Sequence, residues 1–372
     1  MNNNGKSENL VEYPTVSICT PTFNRRPFIP YLIKCFEHQT YPKEKIEWIV
    51  VDDGTDKVED LFLPLCQDTT RKYTVKYFKY DKKMTLGKKR NLSHEKCSGD
   101  IIIYMDDDDY YPPERITHAV ETLQKNPKAL CAGSSIMYIY FKHISKMYKF
   151  GPYGPNHSTA ATFAFRKELL NDTWYDNAAC LAEEKMFLKN YTIPFVQLDP
   201  MKSILVFSHN HNSFDKKVLL TDGTNQYVNK SKVKVDDFIK EKDIIQFFMN
   251  DIDKLLDSYE EGKPEYKPDV TKQMNEIKEK RGKMIQEHKQ RQEQEQKEFY
   301  AKFASSTSNS NARGNKSENS NKINEMTMVM NELLMENNQL KDKVKYLEDK
   351  IAKLITQQIE ERKKSANKDI RN

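Results

Sequence analysis

Between about residues 14 and 215, short apolar runs alternate with segments of helical spacing, and no other feature narrows the possible folds as far. VSICT (16–20), WIVVDD (48–53), VKYF (75–78) and IIIYM (101–105) each read as a strand, the first ended by Pro21. Phe28, Leu32, Cys35 and Phe36 share one face of a helix over 28–38, and 86–96 is helical as well. PPERITHAVETLQK (112–125) opens on prolines and an acid, which is the chemistry of a helix start. Such alternation needs crossover connections and builds a mostly parallel sheet flanked by helices, an α/β fold. Ligands of these sheets bind at the carboxyl ends of the strands. The polar side chains at those ends are therefore the candidate site.

The rest of the 372-residue chain is of another kind. Charged residues make up 31% against 37% hydrophobic ones, too polar an average for one packed core, while 20 Tyr and 18 Phe are too many for wholesale disorder. The expected organisation is a disordered tail over 1–13, the α/β domain over 14–215 and a charged helical accessory region over 216–303. A Ser/Asn-rich flexible linker follows at 304–322, then a coiled coil at 323–360 and a second disordered tail at 361–372. In the coil, heptad position a reads Ile323, Met330, Asn337, Val344, Ile351, and position d reads Met326, Leu333, Leu340, Leu347, Leu354. β-branched residues at a with Leu at d favour a parallel two-stranded coil, and the lone Asn337 would set its register. A homodimer through residues 323–357 is expected.

The net charge of +5 is spread over interleaved acids and bases, which gives no basis for a nucleic-acid partner. No run approaches the ~20 apolar residues of a membrane span, and MNNNGKSENL carries no signal-like apolar stretch. The six cysteines show no CxxC pairing and read as reduced, buried thiols. The expectation is a soluble cytoplasmic protein.

The sharpest chemical signal is Asp106, Asp107, Asp108 and Asp109, directly behind the 101–105 strand. Adjacent carboxylates repel one another and call for a compensating cation. Asp106 and Asp108 point the same way on extended chain and can converge on one ion, and hard oxygen ligands select Mg²⁺ or Mn²⁺. A second acid pair, Asp52-Asp53 before Gly54-Thr55, ends the second strand and could accept hydrogen bonds from a base or a ribose. Leu86-Gly87-Lys88-Lys89-Arg90-Asn91 is a basic helix start suited to an anion.

Taken together, Pro21-Thr22-Phe23-Asn24-Arg25, Val50-Val51-Asp52-Asp53-Gly54-Thr55, Arg90-Asn91 and the Asp106-Asp107-Asp108 run resemble the GT-A glycosyltransferases of family 2, over residues 14 to about 215. The resemblance implies a Rossmann-like GT-A fold, a nucleotide-sugar donor with UDP as the default, a divalent metal, a glycan or protein acceptor, and inversion at the anomeric carbon. It implies that Pro21, Thr22 and Phe23 line the nucleoside pocket together with Arg25, that Asp53 binds the base, and that Arg90 faces the ribose-diphosphate. It puts Asp107 on the ribose side, Asp106 in the first place of a DxD-type motif, and Asp108 on the metal.

An inverting transfer needs a base for the acceptor hydroxyl. The family's acid pair is matched by Glu183-Glu184, with Glu184 preferred by motif position although the family usually has Asp there. Trp174 is the acceptor-binding candidate because aromatic faces stack on sugar rings, and His209, in a His-x-x-Asn segment, is a further metal-ligand candidate beside Asp106 and Asp108. Two other classes compete: a nucleotidyltransferase, which the glycine-free turn at Pro21–Asn24 disfavours, and a coiled-coil scaffold with an inactive GT-A head, which the Glu184 departure leaves open.

Overall fold

The computed structural model describes residues 13–181, 183–220, 225 and 227–309, together with Met328, Met335, Glu336 and Leu340. The strands are β1 (Val16–Thr22), β2 (Ile46–Asp52), β3 (Thr74–Lys79), β4 (Ile101–Tyr104), β5 (Cys131–Gly133), β6 (Met137–Phe141), β7 (Lys146–Phe150), β8 (Ala164–Arg166), β9 (Phe195–Gln197), β10 (Leu205–Ser208) and β11 (Val228–Lys230). The helices are α1 (Ile29–Glu37), α2 (Glu59–Gln67), α3 (Leu86–Lys96), α4 (Arg115–Lys125), the single turn α5 (Glu184–Phe187), α6 (Val235–Phe238), α7 (Lys242–Gln246), α8 (Ile252–Asp257) and α9 (Pro268–Asn309).

Seven strands form one sheet in the order β3-β2-β1-β4-β8-β5-β9. β3, β2, β1 and β4 are parallel, as the alternating pattern requires, whereas β8 runs antiparallel to both β4 and β5. The sheet is a mixed, parallel-rich one. Period-two alternation sorts its side chains into two cores. Val16, Ile18, Trp48, Val50, Ile101 and Ile103 meet α1, α2 and α4 on one face. Cys19, Ile49, Val51, Ile102 and Tyr104 meet Phe163, Phe165, Tyr175 and Phe187 on the other. The helices dock by the expected stripes: α1 buries Ile29, Leu32, Cys35 and Phe36, and α4 buries Ile116, Ala119, Val120 and Leu123. Each Ile, Leu, Val or Phe side chain among them taken fully out of water contributes about 1.5–3 kcal/mol.

Several local outcomes differ from the pattern. β1 continues through Pro21 to Thr22. Its ladder with β4 stops at Cys19↔Tyr104, so beyond that point Pro21 has only β2 beside it, where a missing N–H is tolerated. α4 starts at Arg115, behind the prolines. Behind Glu183 the chain makes only the single helical turn of α5.

A second sheet, β10-β6-β7-β11, carries the hairpin of β6 and β7. It joins the first sheet through the acid run: Tyr110 bridges Leu205 of β10, and Asp109 accepts a hydrogen bond from Phe207 N at 3.2 Å. This sheet therefore sets His209 beside the end of β4. α9 reaches Asn309, six residues into the segment read as linker, and the heptads of 323–357 lie outside the described residues apart from Met328, Met335, Glu336 and Leu340. One compact unit extends to Lys280, well past the expected domain end at 215, and the chain from Arg281 onward forms a second unit.

Candidate active site

A cavity of about 370 Å³ opens at the carboxyl ends of β1 and β4. Pro21, Phe23 and Arg25 line it from the first strand end, Arg90 and Lys89 from α3, and Asp106, Asp107, Asp108 and Asp109 from the fourth. Glu183 and Glu184 close it at the start of α5, and Thr159, Ala160 and Ala161 form another wall. Five segments far apart in sequence thus meet in one place. Thr22 is buried behind it, and its carbonyl accepts a hydrogen bond from Lys89 Nζ at 3.0 Å.

The four adjacent carboxylates do not share one neutralising partner. Asp106 lies 3.4 Å from the Arg90 guanidinium, while Arg25 sits 3.6 Å from Asp107 and 3.4 Å from Asp108. Asp109 turns away to the backbone of β10. Burial pushes the Asp107 carboxyl up to about 6 against the pull of Arg25. Burial also opposes charge on Asp108, yet His209 and Arg25 hold it well below the usual carboxylate range. Arg25 is itself fixed by the carbonyls of His211 at 2.9 Å and Gly262 at 3.3 Å.

Asp53, expected to meet a base, does not line the cavity. Its buried carboxylate pairs with Lys89 Nζ and accepts the Met84 N–H at 2.5 Å, so it ties α3 to the end of β2. Asp52 is engaged likewise, accepting from Gly54 N at 2.8 Å and Val58 N at 3.0 Å. Trp174 is 60% exposed and stands outside the cavity lining.

Glu183 and Glu184 are neighbours with opposite surroundings. Glu183 Oε1 accepts from Arg90 Nε at 3.1 Å, both side chains buried, and the guanidinium lies 4.2 Å above the Tyr104 ring. Glu184 has no such partner among the described residues; burial, with Glu183 beside it, pushes its carboxyl up to about 7.

Some lining residues carried no sequence signal. Lys267 reaches in from far beyond the strand–helix pattern, its Nζ 2.7 Å from Ser213 Oγ and 5.8 Å from the Phe23 ring centre. Burial, with Arg25 nearby, lowers its ammonium well below the usual lysine range. The segment around it is tied down at several points. Asn24 Nδ2 donates to Glu261 O at 2.7 Å, Tyr259 OH to Asp56 at 2.8 Å, and Gln273 Oε1 accepts from Cys180 N and Leu181 N at 2.7 and 2.8 Å. The only hint in the sequence is a lysine between Pro264 and Pro268, which does not specify a partner.

The donor set suits a half-built divalent site. His209 Nε2 lies 3.5 Å from Asp108, and the His209 N–H donates to Asn212 Oδ1 at 2.8 Å, which orients the segment. Among the described residues no three His, Cys, Asp or Glu side chains form a ready-made cage. A hard cation held by one or two protein groups with substrate phosphates completing its shell does not need one. Asp106, the other expected ligand, is turned toward Arg90.

Residues 17–186 match the family described as Glycosyl transferase family 2. The chain is also similar to the Staphylococcus aureus poly(ribitol-phosphate) β-N-acetylglucosaminyltransferase TarS, 27% identical over 112 residues, covering 30% of this chain and 19% of that protein. It resembles the Campylobacter jejuni GalNAc(5)-diNAcBac-PP-undecaprenol β-1,3-glucosyltransferase at 30% identity over 114 residues, covering 30% and 34% of the two chains. The matched stretch thus spans about a third or less of these relatives. A solved structure of S. aureus TarS in complex with UDP-GlcNAc has a TM-score of 0.39 at 20% identity, over 52% of this chain and 59% of that one. The strand ends that gather the acids, the arginines and the two glutamates all fall within or at the edge of residues 17–186, the part of this chain that matches glycosyl transferase family 2.

Proposed function

We propose that the cavity moves a sugar from a nucleoside-diphosphate sugar, with UDP as the expected nucleotide, to an acceptor hydroxyl, inverting the anomeric carbon. The observation that carries this reading is the contrast between the two glutamates in one arginine-lined cavity: Glu183 is ion-paired with Arg90 at 3.1 Å, while Glu184 has no such partner among the described residues and burial pushes its carboxyl up to about 7. A buried carboxyl raised toward the working pH is suited to taking a proton from an acceptor hydroxyl. The two relatives, named as N-acetylglucosaminyl- and glucosyltransferases, support a hexose donor.

In this reading Phe23 and Pro21 offer apolar surface to the nucleoside, and Arg25, Arg90 and Lys267 surround the diphosphate. Glu184 takes the proton of the acceptor hydroxyl. The acceptor oxygen bonds to the anomeric carbon as the bond from that carbon to the diphosphate oxygen breaks, and the electron pair leaves with the diphosphate. Cationic side chains aimed at that oxygen stabilise charge that develops only as the bond breaks. Asp108 and His209 would hold Mn²⁺ or Mg²⁺, which when bound supplies further positive charge there.

The test offers the protein UDP-, GDP- and TDP-sugars with Mn²⁺ or Mg²⁺ and measures released nucleotide. Turnover is expected with a UDP-sugar, and Asp108→Ala should abolish most of it with the melting temperature unchanged. Absence of binding and turnover across the donor set overturns the reading.

A further inference from the structure

An aromatic row runs over the surface next to the Glu184 side of the cavity. The ring centres of Tyr227 and Tyr153 are 5.0 Å apart, those of Tyr153 and His157 4.9 Å, and those of His157 and Tyr191 5.2 Å. Neighbouring rings are tilted by 44°, 48° and 31°, so they do not cover each other's faces. Tyr153 and Tyr227 are each 37% exposed, a large apolar area to leave in water.

Two elements link this row to the cavity. The loop after β7 carries Tyr153 and His157 and then forms the cavity wall at Thr159–Ala161, so His157 is within about 7 Å of chain from that wall. On the other side, Glu184 lines the cavity at the head of α5, and Tyr191 follows that helix closely enough for the Glu184 carboxylate to help raise its phenol, after burial. Lys189, Asn190 and Tyr191 all adopt left-handed backbone, at φ 47°, 56° and 64°. Non-glycine residues held there cost roughly 1–2 kcal/mol each, and strain of this kind collects at binding sites. The row is polar at its edges: Asn156 Nδ2 donates to Tyr191 O at 3.1 Å, and Gln197 Nε2 to His157 O at 3.0 Å, which holds the rings in place.

We infer that Tyr227, Tyr153, His157 and Tyr191 form the track on which a saccharide acceptor lies, its reacting hydroxyl delivered to Glu184. A pyranose has an apolar C–H face and a hydroxyl rim, which matches tilted aromatic faces with phenol and imidazole edges. An apolar peptide would need a continuous apolar groove instead. The inference rests on the transfer reaction proposed above, and it assigns the acceptor side of that reaction to residues outside the donor cavity.

The experiment applies the full chain to a glycan array and measures the affinity of a retained oligosaccharide by calorimetry. Retention of at least one oligosaccharide is expected. The Tyr153→Ala/Tyr227→Ala double variant, altered only at exposed positions, should weaken it at least tenfold while melting within about 2 °C of the parent. Retention of no saccharide, or equal affinity in the double variant, overturns the inference. Nucleotide-sugar turnover of the unaltered protein is read separately: turnover without saccharide retention removes the track alone, and saccharide retention without turnover removes the transfer reading alone.

Discussion

Arg90 answers two acids at once, Glu183 at 3.1 Å and Asp106 at 3.4 Å, while packed over the Tyr104 ring. Removing one partner of a buried ion pair leaves an uncompensated charge, so Arg90→Met should destabilise the protein by about 3–5 kcal/mol in denaturant titration. Glu183→Gln in the same chain should return part of that loss. In the transfer proposed above, the neighbouring Glu184 sets the pH dependence. Its ordinary value is 4.5, and in the folded protein it is pushed up to about 7, so the base form accumulates as pH rises through 7 and turnover should rise with it. Glu184→Gln should lose about 10²–10⁴-fold in turnover together with that pH limb. Stability moves the other way. A carboxyl that holds its proton more tightly when folded costs stability progressively between pH 4.5 and 7, so Glu184→Gln should match the parent at pH 4 and exceed it at pH 8 by about 3 kcal/mol. At this scale the types and order of Arg90, Asp108 and the glutamate pair are distinctive in the sequence, and the fold brings all four side chains to one cavity. The pairing of Asp53 with Lys89 was not legible, because a strand-end acid pair reads the same whatever it faces.

α3 shows how an element positions the site. Gly87 in its first turn donates to Ala179 O at 2.9 Å, and a methyl group there would meet Asp176 O at 2.0 Å. Asn91 exchanges two hydrogen bonds with the Tyr175 backbone, at 2.8 and 2.9 Å, so the second residue of the Arg-Asn pair is a clamp. Both contacts hold the loop that leads through Cys180 and Leu181 to the glutamates. Gly87→Ala should therefore lower the melting temperature, by about 1–3 kcal/mol of stability, and reduce turnover measured well below that temperature. The helix itself falls on the residues expected for it, 86–96. The β6–β7 hairpin was not legible in the sequence, since its turn is built from a 3₁₀ turn at Lys142–Ile144 and Ser145 at φ 50°, without the Asn-Gly signal of a short hairpin.

Over the whole molecule, the segment 259–273 forms part of the candidate site although it lies beyond the family match. A chain ending after Ser258 should lose nucleotide-sugar binding by calorimetry, and one ending after Lys280 should keep it. The heptads at 323–357 carry a separate expectation: the full chain sediments as a dimer, and a chain ending at Phe303 as a monomer. The sequence by itself determined what depends on near neighbours along the chain. The strand and helix periods, the parallel core of the sheet and the acids at the strand ends follow from side-chain spacing and backbone geometry. Only the tertiary structure decided which acid faces which base. It brought Lys267 and Gly262 beside Arg25, turned Asp53 onto Lys89, separated Glu183 from Glu184 electrostatically, and drew four aromatic rings into one row. Those outcomes depend on burial and on charges that meet across long sequence separations, and no local pattern encodes either.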